Sequence, residues 1–462
     1  MKDTITIPDT IAAIATPPGE GGLAVIRISG CQAAKILSSI FNSQHGINVA
    51  KMATHRLYYG TVAEGAASGE TVMVTIMRAP HSYTGENVVE IFAHGGILIA
   101  KSILQNIVSL GARLAEPGEF TKRAFLNNKI DLNQAEAVAD VIAAKTETAL
   151  KIGLNQLDGT LAKAIKSIKR QIINCVAQLE AEIDYAEEEI TRVGAAQMGQ
   201  IIRDSKKSVD NLVATYEQGK IIKNGVSIAI IGRPNVGKSS ILNRLLKEEK
   251  AIVTAIPGTT RDVIEEVINI QGIPVRLMDT AGVRNSKGII EKMGLRKTAK
   301  AIQRADILLW IIDGSKCFNT THRGILRKTQ NKPVIIVINK ADLQQRISRR
   351  DLEGFIRGPI VQMSAKTGKG LKELESAIAQ NALHNNTGQS DLLIITNQRQ
   401  FECLSKAGRS LAQALDSSEK QLGPEYIVVD LRKSLSYIGE LIGETVNDDI
   451  LKVIFSKFCV GK

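Results

Sequence analysis

The sequence predicts a multidomain protein of mixed α/β and α+β class, in which an α/β domain is inserted into a helical domain and an α+β domain precedes both. Two observations support this prediction. The chain has 462 residues, of which 44% are apolar and 23% charged, a composition that suits about three globular domains. The spacing of the apolar residues also changes near residues 125, 222 and 386, so that four segments can be distinguished.

The first segment, residues 1–125, alternates short β-rich runs with glycine-rich turns, which predicts an α+β domain. Its predicted strands are LAVIRISG (23–30), HRLYYGTV (55–62), TVMVTIMRAP (71–80) and NVVEIFAHGG (87–96).

The second and fourth segments, residues 126–222 and 387–462, have helical spacing and few glycines or prolines to interrupt it. The apolar residues that lie along one face of an early predicted helix are Leu132, Ala135, Val138 and Ile142. We expect the two segments to form a single helical domain, because a domain insertion is tolerated where the termini of the inserted domain lie close together.

The third segment, residues 223–386, alternates continuous apolar strands with helical stretches, as in a buried and mainly parallel sheet. Its predicted strands are VSIAII (226–231), VRLMD (275–279), ILLWIID (307–313), VIIVIN (334–339) and IVQMS (360–364). This segment is therefore predicted to be an α/β domain.

Composition restricts the partners and the compartment. The net charge of +12 makes nucleic acid one candidate partner, although many basic proteins bind none, and an aromatic content of 4% does not indicate base-stacking surfaces. Five cysteines without a CxxC pair predict neither a zinc site nor a disulfide framework. No apolar run of membrane length and no secretory signal is evident, so we expect a cytoplasmic protein without membrane association.

A phosphate-binding loop opens the third segment. GRPNVGKS (232–239) follows a predicted strand and precedes a helical stretch, an arrangement in which backbone N–H groups and a helix N-terminus bind phosphate. Gly232 and Gly237 allow the backbone to approach the phosphate oxygens. We expect Lys238 to contact the β- and γ-phosphates and Ser239 to bind Mg²⁺.

Two motifs further along predict the elements that sense the γ-phosphate, PGTTRD (257–262) and DTAG (279–282). Thr260 would complete the Mg²⁺ shell, Asp279 would hold the ion through water, and the Gly282 N–H would contact the γ-phosphate.

Two more motifs predict selectivity for guanine. In NKAD (339–342), Asp342 would accept hydrogen bonds from the N1–H and the exocyclic amine of guanine, a pair that adenine cannot supply. Asn339 and Lys340 would brace the base, and SAK (364–366) would contact the guanine oxygen through its backbone. Five elements in this order predict a GTPase that uses Mg²⁺.

The predicted GTP contacts can be given in full. They are Asn235, Val236, Gly237, Lys238, Ser239, Ser240, Thr254, Ala255, Ile256, Pro257, Gly258, Thr259, Thr260, Asp279, Thr280, Ala281, Gly282, Asn339, Lys340, Asp342, Ser364, Ala365 and Lys366.

The residue after DTAG is Val283, where Ras-like enzymes have a glutamine that orients the attacking water. Water positioning and charge stabilisation must therefore come from elsewhere in the site.

Four other stretches carry a resemblance to a known family. They are TPPGEGGLAVIRISG (16–30), YTGENVVEIFAHGG (83–96), PGEFTKRAFLNNKIDLNQAEAVADVI (117–142) and FSKFCVGK (455–462). With the nucleotide motifs, they make the whole chain similar to the MnmE (TrmE) family of tRNA modification GTPases. The resemblance implies that residues 1–125 are a folate-binding and dimerisation domain, and that a P-loop GTPase domain, 223–386, is inserted between the helical halves 126–222 and 387–462.

The resemblance also implies activation by potassium. In this family the G domains of a dimer associate across their nucleotide faces when GTP and K⁺ bind. Asn235 matches the potassium ligand of the phosphate-binding loop, and the backbone carbonyls of Thr254, Ile256 and Thr259 match the rest of the shell. Glu291 matches the glutamate that positions water, although the residues alone would place it on a solvated helix surface.

For the first segment, the resemblance implies folate contacts at Arg27, Glu90, Lys129 and Lys462, and a catalytic role near the folate for Cys459. The chemistry is compatible, because Arg27 and Lys129 can pair with the glutamate of a folate and Glu90 can accept from a pterin ring. Surface or capping roles for these four residues, and a packing role for Cys459, stay open at this point.

The function that the resemblance implies is a K⁺-activated GTPase in which Lys238, Glu291 and Cys459 are catalytic. It would act as a homodimer with the flavoprotein MnmG (GidA), in a heterotetramer or larger complex. Together they would install an aminomethyl-type group at C5 of the wobble uridine of certain tRNAs, with 5-formyl- or methylene-tetrahydrofolate as the one-carbon source. One alternative is a regulatory GTPase of ribosome assembly that binds rRNA, but residues 387–462 lack the GXXG loop of a common RNA-binding module.

Overall fold

The computed structural model describes residues 9–184, 195–248, 266–278, 301–318, 332–348, 352, 358–383 and 393–462. The chain divides into two compact units. Unit 1 comprises Met1–Ile142, Gln156–Ile173 and Arg432–Lys462, and unit 2 comprises Ala143–Asn155 and Asn174–Leu431. Within these described ranges, no helix combines the length and the hydropathy that crossing a membrane requires.

Unit 1 contains, among its described residues, a seven-stranded sheet in the order β3-β4-β5-β6-β2-β1-β7. Its strands are β1 Ile11–Ile14, β2 Gly21–Ser29, β3 Phe41–Ser43, β4 Leu57–Val62, β5 Thr71–Met77, β6 Val88–Gly95 and β7 Arg113–Leu114. Neighbouring strands are antiparallel except for the parallel pair β1 and β7. The four predicted strands are confirmed, and the three that were missed are too short to show an alternating pattern.

Two helices cover one face of this sheet, α1 Ala33–Ile40 and α2 Ile97–Ser109. Their apolar side chains form one core with alternate residues of β2, including the fully buried Ile26 and Ile28. Because successive side chains of a strand point to opposite faces, Arg27 lies on the other face. There its guanidinium lies 5.6 Å from the ring of Phe120, which belongs to α3 Glu119–Leu126.

Five charged side chains form an ion-pair cluster around the buried Arg123 of α3. Arg123 is inaccessible to solvent, and its Nη2 lies 2.7 Å from Asp9 Oδ1 and 3.0 Å from Glu119 Oε1. Its Nη1 reaches Glu86 Oε1 at 3.2 Å. The half-exposed Arg113 also contacts Asp9 and Glu119. Burial raises the pKa of Glu119, but hydrogen bonds from Arg113, the Glu116 backbone and Arg123 outweigh it and hold that pKa below its usual range.

The helices before and after the inserted segment pack together. Their bounds are α4 Leu132–Ala143, α5 Glu147–Leu157, α6 Thr160–Asp184, α7 Ala195–Ala214, α8 Tyr216–Asn224, α11 Gln398–Glu419, α12 Pro424–Ile442 and α13 Asp448–Phe455. In unit 1, Leu132 of α4 shares a core with Leu451 and Phe455 of α13. In unit 2, α7 packs along α11, where Gly408 allows close approach to Val209. A helical part built from two separate stretches of sequence is thus confirmed.

Unit 2 contains, among its described residues, a sheet of six strands in the order β13-β12-β11-β8-β10-β9. The strands and the helices that belong with them are β8 Val226–Gly232, α9 Lys238–Glu248, β9 Glu266–Ile270, β10 Ile273–Met278, β11 Ile307–Asp313, β12 Val334–Asn339, β13 Ile360–Gln362 and α10 Leu371–Ala382. Every neighbouring pair is parallel except β10 and β9. The mainly parallel sheet and the predicted fold class are confirmed, while β9 was not predicted.

The central strand β11 is buried on both faces. Leu309 and Ile311 belong to the core on one side of the sheet, and Trp310 and Ile312 belong to the core on the other. Parallel strands present their carboxyl ends at one edge of a sheet, and ligands of such folds bind there. The loops that follow β8, β11, β12 and β13 therefore meet at that edge. The residue limits of the four predicted domain segments stay a prediction.

Candidate functional site

The phosphate-binding loop joins the end of β8 to the start of α9. Lys238 is the first residue of α9, and its Nζ donates to the carbonyl oxygens of Gly232 at 3.0 Å and Arg233 at 2.8 Å, so the side chain spans its own loop. Val236 is buried in the core, whereas Asn235 is exposed and has a positive φ of 63°. Val236 thus anchors the loop in the core, while Asn235 is exposed to solvent.

The first turn of α9 continues with Ser239 and Ser240, which are both exposed. The backbone N–H groups at the start of a helix and the helix dipole favour an anion such as phosphate. A hydroxyl at this point is the type of oxygen ligand that Mg²⁺ uses beside phosphates. The predicted roles of both serines are therefore compatible with their position.

Asn339 links this loop to the base-recognition loops. Its amide is buried at the end of β12, where Nδ2 donates to Val236 O at 2.8 Å and Oδ1 accepts from Ala365 N at 3.0 Å. Gly237 passes directly beneath it with a φ of 97°, and a Cβ at that position would lie 2.2 Å from Asn339 Nδ2. The geometry therefore requires glycine here and connects three of the predicted sequence motifs.

Asp342 and Ser364 lie together, as expected for a guanine-binding pair of loops. Ser364 Oγ donates to Asp342 Oδ1 at 2.6 Å, and Ala341 N donates to Met363 O at 3.0 Å. Ser364 is buried and Asp342 is exposed. The hydrogen bond from Ser364 is the main cause that lowers the pKa of Asp342, with a further contribution from the charge of Lys366. The carboxylate thus stays ionised and can act as a double acceptor.

Lys340 has a partner that sequence reasoning missed. Its Nζ donates to Asp313 Oδ2 at 2.6 Å, and Asp313 is buried at the end of β11. The signal in the sequence is the acidic residue that ends an otherwise apolar strand, ILLWIID. An aspartate in that position needs a specific partner, because burying an unpaired carboxylate is costly.

The other predicted nucleotide residues lie outside the described residues. They are Thr254, Ala255, Ile256, Pro257, Gly258, Thr259, Thr260, Asp279, Thr280, Ala281, Gly282 and Glu291.

Gly237→Ala is expected to weaken the binding of guanine nucleotides by about tenfold or more, because the left-handed backbone and the overlap with Asn339 each cost about 1 kcal/mol or more. The measurement is the dissociation constant for GDP by titration calorimetry. Gly22→Ala is the control, since nothing lies within 4 Å of a Cβ at Gly22. Equal affinity of the Gly237 variant and the unmodified protein would contradict the role of this glycine.

A second group of predicted residues meets in unit 1. Arg27 on β2 and Glu90 on β6 are direct cross-strand neighbours, and Arg27 Nε donates to Glu90 Oε1 at 2.8 Å. The guanidinium also lies 5.9 Å from the ring of Tyr83 and 5.6 Å from that of Phe120. The arrangement places a cation, a carboxylate and two aromatic rings on one face of the sheet.

The terminal segment joins this group. Arg27 Nη1 donates to Gly461 O at 3.2 Å. Gly461 has a φ of 94° and packs against the backbone of β1, where a Cβ would lie 2.6 Å from Ile14 O. Cys459 is exposed, and its carbonyl accepts from Lys462 N at 3.4 Å. Lys129 lies on a neighbouring loop and donates to Pro80 O at 3.0 Å.

Comparison with known proteins covers the whole chain. The family described as MnmE helical domain matches residues 132–459, and the family described as GTP-binding protein TrmE N-terminus matches residues 10–129. A tRNA modification GTPase MnmE of Enterococcus faecalis is 42% identical over 461 residues, which is 98% of each chain. This chain belongs to the MnmE family of tRNA modification GTPases. An MnmE of Clostridioides difficile is also 42% identical and covers 99% of this chain and 100% of its own length.

Most residues of the two candidate groups fall inside the matched regions, and Gly461 and Lys462 lie just beyond them. Arg27 and Glu90 lie within the TrmE N-terminal match, and Lys238, Asp342 and Cys459 lie within the MnmE helical match. Family membership makes the chain a GTP hydrolase, and Mg²⁺ is the metal ion of that chemistry. Among solved structures, the G domain of the T. maritima FeoB iron transporter covers 34% of this chain at 28% identity, with a TM-score of 0.27 that is too low to bear on the fold.

Proposed function

We propose that this MnmE-family GTPase is activated by K⁺ and works with the flavoprotein MnmG (GidA) to install an aminomethyl-type group at C5 of the wobble uridine of certain tRNAs. The observation that supports its GTPase part most directly is the buried Asn339, which connects the phosphate-binding loop to the loops that would read guanine. Relatives named as tRNA modification GTPases along the full length of the chain support the choice of tRNA as substrate.

For GTP, the described residues fit the nucleotide. Gly237 packs against Asn339 without room for a side chain, which ties the phosphate-binding loop to the base-recognition loop, and Asp342 is held as an ionised acceptor. Lys238 would contact the β- and γ-phosphates, and Ser239 and Thr260 would bind Mg²⁺. The metal would neutralise the charge that develops on the phosphate oxygens.

For K⁺, we assign Asn235 as the side-chain ligand and the carbonyls of Thr254, Ile256 and Thr259 as the rest of the shell. The exposed position of Asn235 on the phosphate-binding loop suits a cation placed beside phosphates. Such a cation supplies positive charge where Ras-like enzymes use an arginine finger. Glu291 would position the attacking water in place of the missing glutamine.

GTP turnover at saturating GTP is expected to be about tenfold or more faster in KCl than in NaCl, because the cation stabilises charge in the transition state. The measurement is phosphate release at equal ionic strength in the two salts. Asn235→Gly is the matched variant, since glycine tolerates the positive φ at this position but lacks the side-chain ligand. The turnover rates of this variant in KCl and in NaCl should be nearly equal. Equal rates of the unmodified protein in both salts would exclude the proposed potassium site.

For the one-carbon donor, a tetrahydrofolate derivative, 5-formyl- or methylene-tetrahydrofolate, fits the group around Arg27. The half-buried ring of Tyr83 beside the Arg27 guanidinium suits a flat heterocycle, and Glu90 can accept from its N–H groups. Phe120 is fully buried and supports the guanidinium from the core side. Lys129 and Lys462 would bind the carboxylates. The folate would supply the one-carbon unit, and we assign to the exposed Cys459 a role as nucleophile or acid/base group.

We further propose a cytoplasmic homodimer that joins MnmG in a heterotetramer or larger complex. Motion of the G domains on GTP hydrolysis would act on the folate site as a two-state switch. The competing interpretation, a regulatory GTPase that binds rRNA, gives no role to the terminal segment that contacts Arg27. It predicts that the full-length protein does not bind a reduced folate.

Nucleoside mass spectrometry of tRNA tests the proposal. Cells that lack the gene should lose the C5-substituted wobble uridines, and the unmodified gene should restore them. Complementation with Cys459→Ser separates the roles of the thiol: failure to restore indicates a chemical role, and full restoration indicates packing. Unchanged nucleosides in the deletion strain would leave the chain a GTPase without a role in this modification.

A further inference from the structure

Asp313 occupies an unusual place for a carboxylate. It is the last residue of β11, the central strand that both cores enclose, and only 3% of the residue is exposed. The strand that precedes it, Ile307–Ile312, is entirely apolar and buried. Burying a charged group at the end of such a strand has a high desolvation cost, which specific partners must offset.

Both carboxylate oxygens of Asp313 have partners. Oδ2 accepts from Lys340 Nζ at 2.6 Å, and Oδ1 accepts from Ser315 Oγ at 2.6 Å and from Ser315 N at 3.1 Å. Burial raises the pKa of Asp313, but the hydrogen bonds from Lys340 and Ser315 outweigh it and lower the pKa below its usual range. Asp313 is thus a fixed anion aimed at the ammonium group of Lys340.

The backbone around Lys340 is held in an uncommon conformation. Lys340 has a φ of 66°, in the left-handed region that non-glycine residues rarely adopt. Its carbonyl accepts from Gln345 Nε2 at 2.8 Å and from Leu343 N at 2.9 Å. The loop after β11 is also joined to the end of β12, because Gly314 N donates to Asn339 O at 2.9 Å. Asp313 and its neighbours therefore fix both the main chain and the side chain of Lys340.

We propose that Asp313 is a positioning residue for guanine recognition, which anchors the ammonium group of Lys340 so that the lysine stem and the adjoining Asp342 are preorganised for the base. This inference rests on the proposed binding of GTP at the same edge of the sheet. Lys340 is one residue removed from Asn339 and two from Asp342, so a displaced lysine would disturb the loop that reads the base. Asp313 itself acts only through Lys340.

A buried carboxylate at Asp313 can preorganise Lys340 for binding of the base. A lysine side chain has several rotatable bonds, and its ordering on binding costs free energy that a fixed anchor removes in advance. Lys340 is already ordered by Asp313 in this structure, and 32% of its side chain is exposed at the site edge. The binding of a base against the stem then loses less conformational entropy.

Asp313→Asn is expected to weaken the binding of GDP and of GTP about tenfold or more, because a neutral amide cannot replace a charge-assisted hydrogen bond to the ammonium. The dissociation constants are measured by calorimetry on the full-length protein. Asp306→Asn is the matched control at the opposite end of β11, where the carboxylate accepts from Ser227 N. The control should bind GDP as the unmodified protein does, and equal affinity of the Asp313 variant would overturn the inference.

A double-mutant cycle separates positioning from a general structural effect. Lys340→Met keeps the stem and removes the ammonium, so adding Asp313→Asn to it should cost little further affinity if Asp313 acts through Lys340. If the affinity losses of the two single variants instead multiply in the double variant, Asp313 acts independently of Lys340 and the proposal is wrong. If Asp313→Asn does not fold, Ser315→Ala tests the same anchor, with an expected loss of about threefold. Failure of the unmodified protein to bind GDP would instead contradict the proposed function itself.

Discussion

Asp342→Asn is expected to change the base preference of this protein from guanine to xanthine. Guanine offers two donors, N1–H and the exocyclic amine, and the carboxylate of Asp342 can accept from both. An asparagine amide has one acceptor and one donor, which matches the N1–H and the C2 carbonyl of xanthine but leaves the guanine amine facing a donor. The affinity for GDP should fall about 100-fold or more, since a site with mismatched polar groups rejects a ligand strongly.

The experiment compares GDP and XDP binding to the full-length protein by calorimetry. Ser364→Ala is the matched control: it removes the hydrogen bond to Asp342 Oδ1 but keeps the carboxylate, so guanine should still be preferred over xanthine. Retention of the guanine preference by Asp342→Asn would show that another residue reads the base.

Arg123→Met is expected to destabilise unit 1 by about 3–5 kcal/mol. The guanidinium is inaccessible to solvent and is the common partner of Asp9, Glu86 and Glu119. Its removal takes the cationic partner from Glu86 and leaves Asp9 and Glu119 with only the half-exposed Arg113. Losing one partner of a buried ion pair is costly because the remaining charge stays desolvated. Because the chain has two compact units, hydrogen exchange resolved by peptide is the appropriate measurement of local unfolding free energy.

Arg113→Met provides the control for this prediction. Arg113 contacts Asp9 and Glu119 as well, but 46% of its side chain is exposed, so solvent screens its interactions and the loss should be about 1 kcal/mol or less. Similar effects of the two substitutions would mean that burial does not determine the strength of this cluster.

The sequence predicted the features that depend on local pattern. GRPNVGKS and NKAD each follow a predicted strand, and the parallel sheet brings Gly237 and Asn339 together as such a fold requires. The strands of unit 2 were recognisable because each is a continuous apolar run. Their common edge then follows from the rule that parallel strands end on the same side.

Features that depend on contacts between distant residues were not predictable. Asp9 and Arg123 are 114 positions apart, and nothing local to either indicates a buried ion cluster. Arg27 and Glu90 were expected to contact a folate separately, whereas the pairing of β2 with β6 places them against each other. Asp313 was visible as the end of a strand, but its role depends on the register that brings β12 and Lys340 beside it.

Trp310, buried in the middle of β11, has a practical consequence. It is the single tryptophan of the chain, lies three residues before Asp313 and makes an edge contact with Phe318 at 6.5 Å between ring centres. Intrinsic tryptophan fluorescence will therefore report on unit 2 and its nucleotide site alone. Circular dichroism, in contrast, reports on the helices and strands of both units. A substitution that destabilises unit 1, such as Arg123→Met, should therefore give a transition by circular dichroism that differs from the transition by tryptophan fluorescence. The two optical probes then distinguish the two units without labelling.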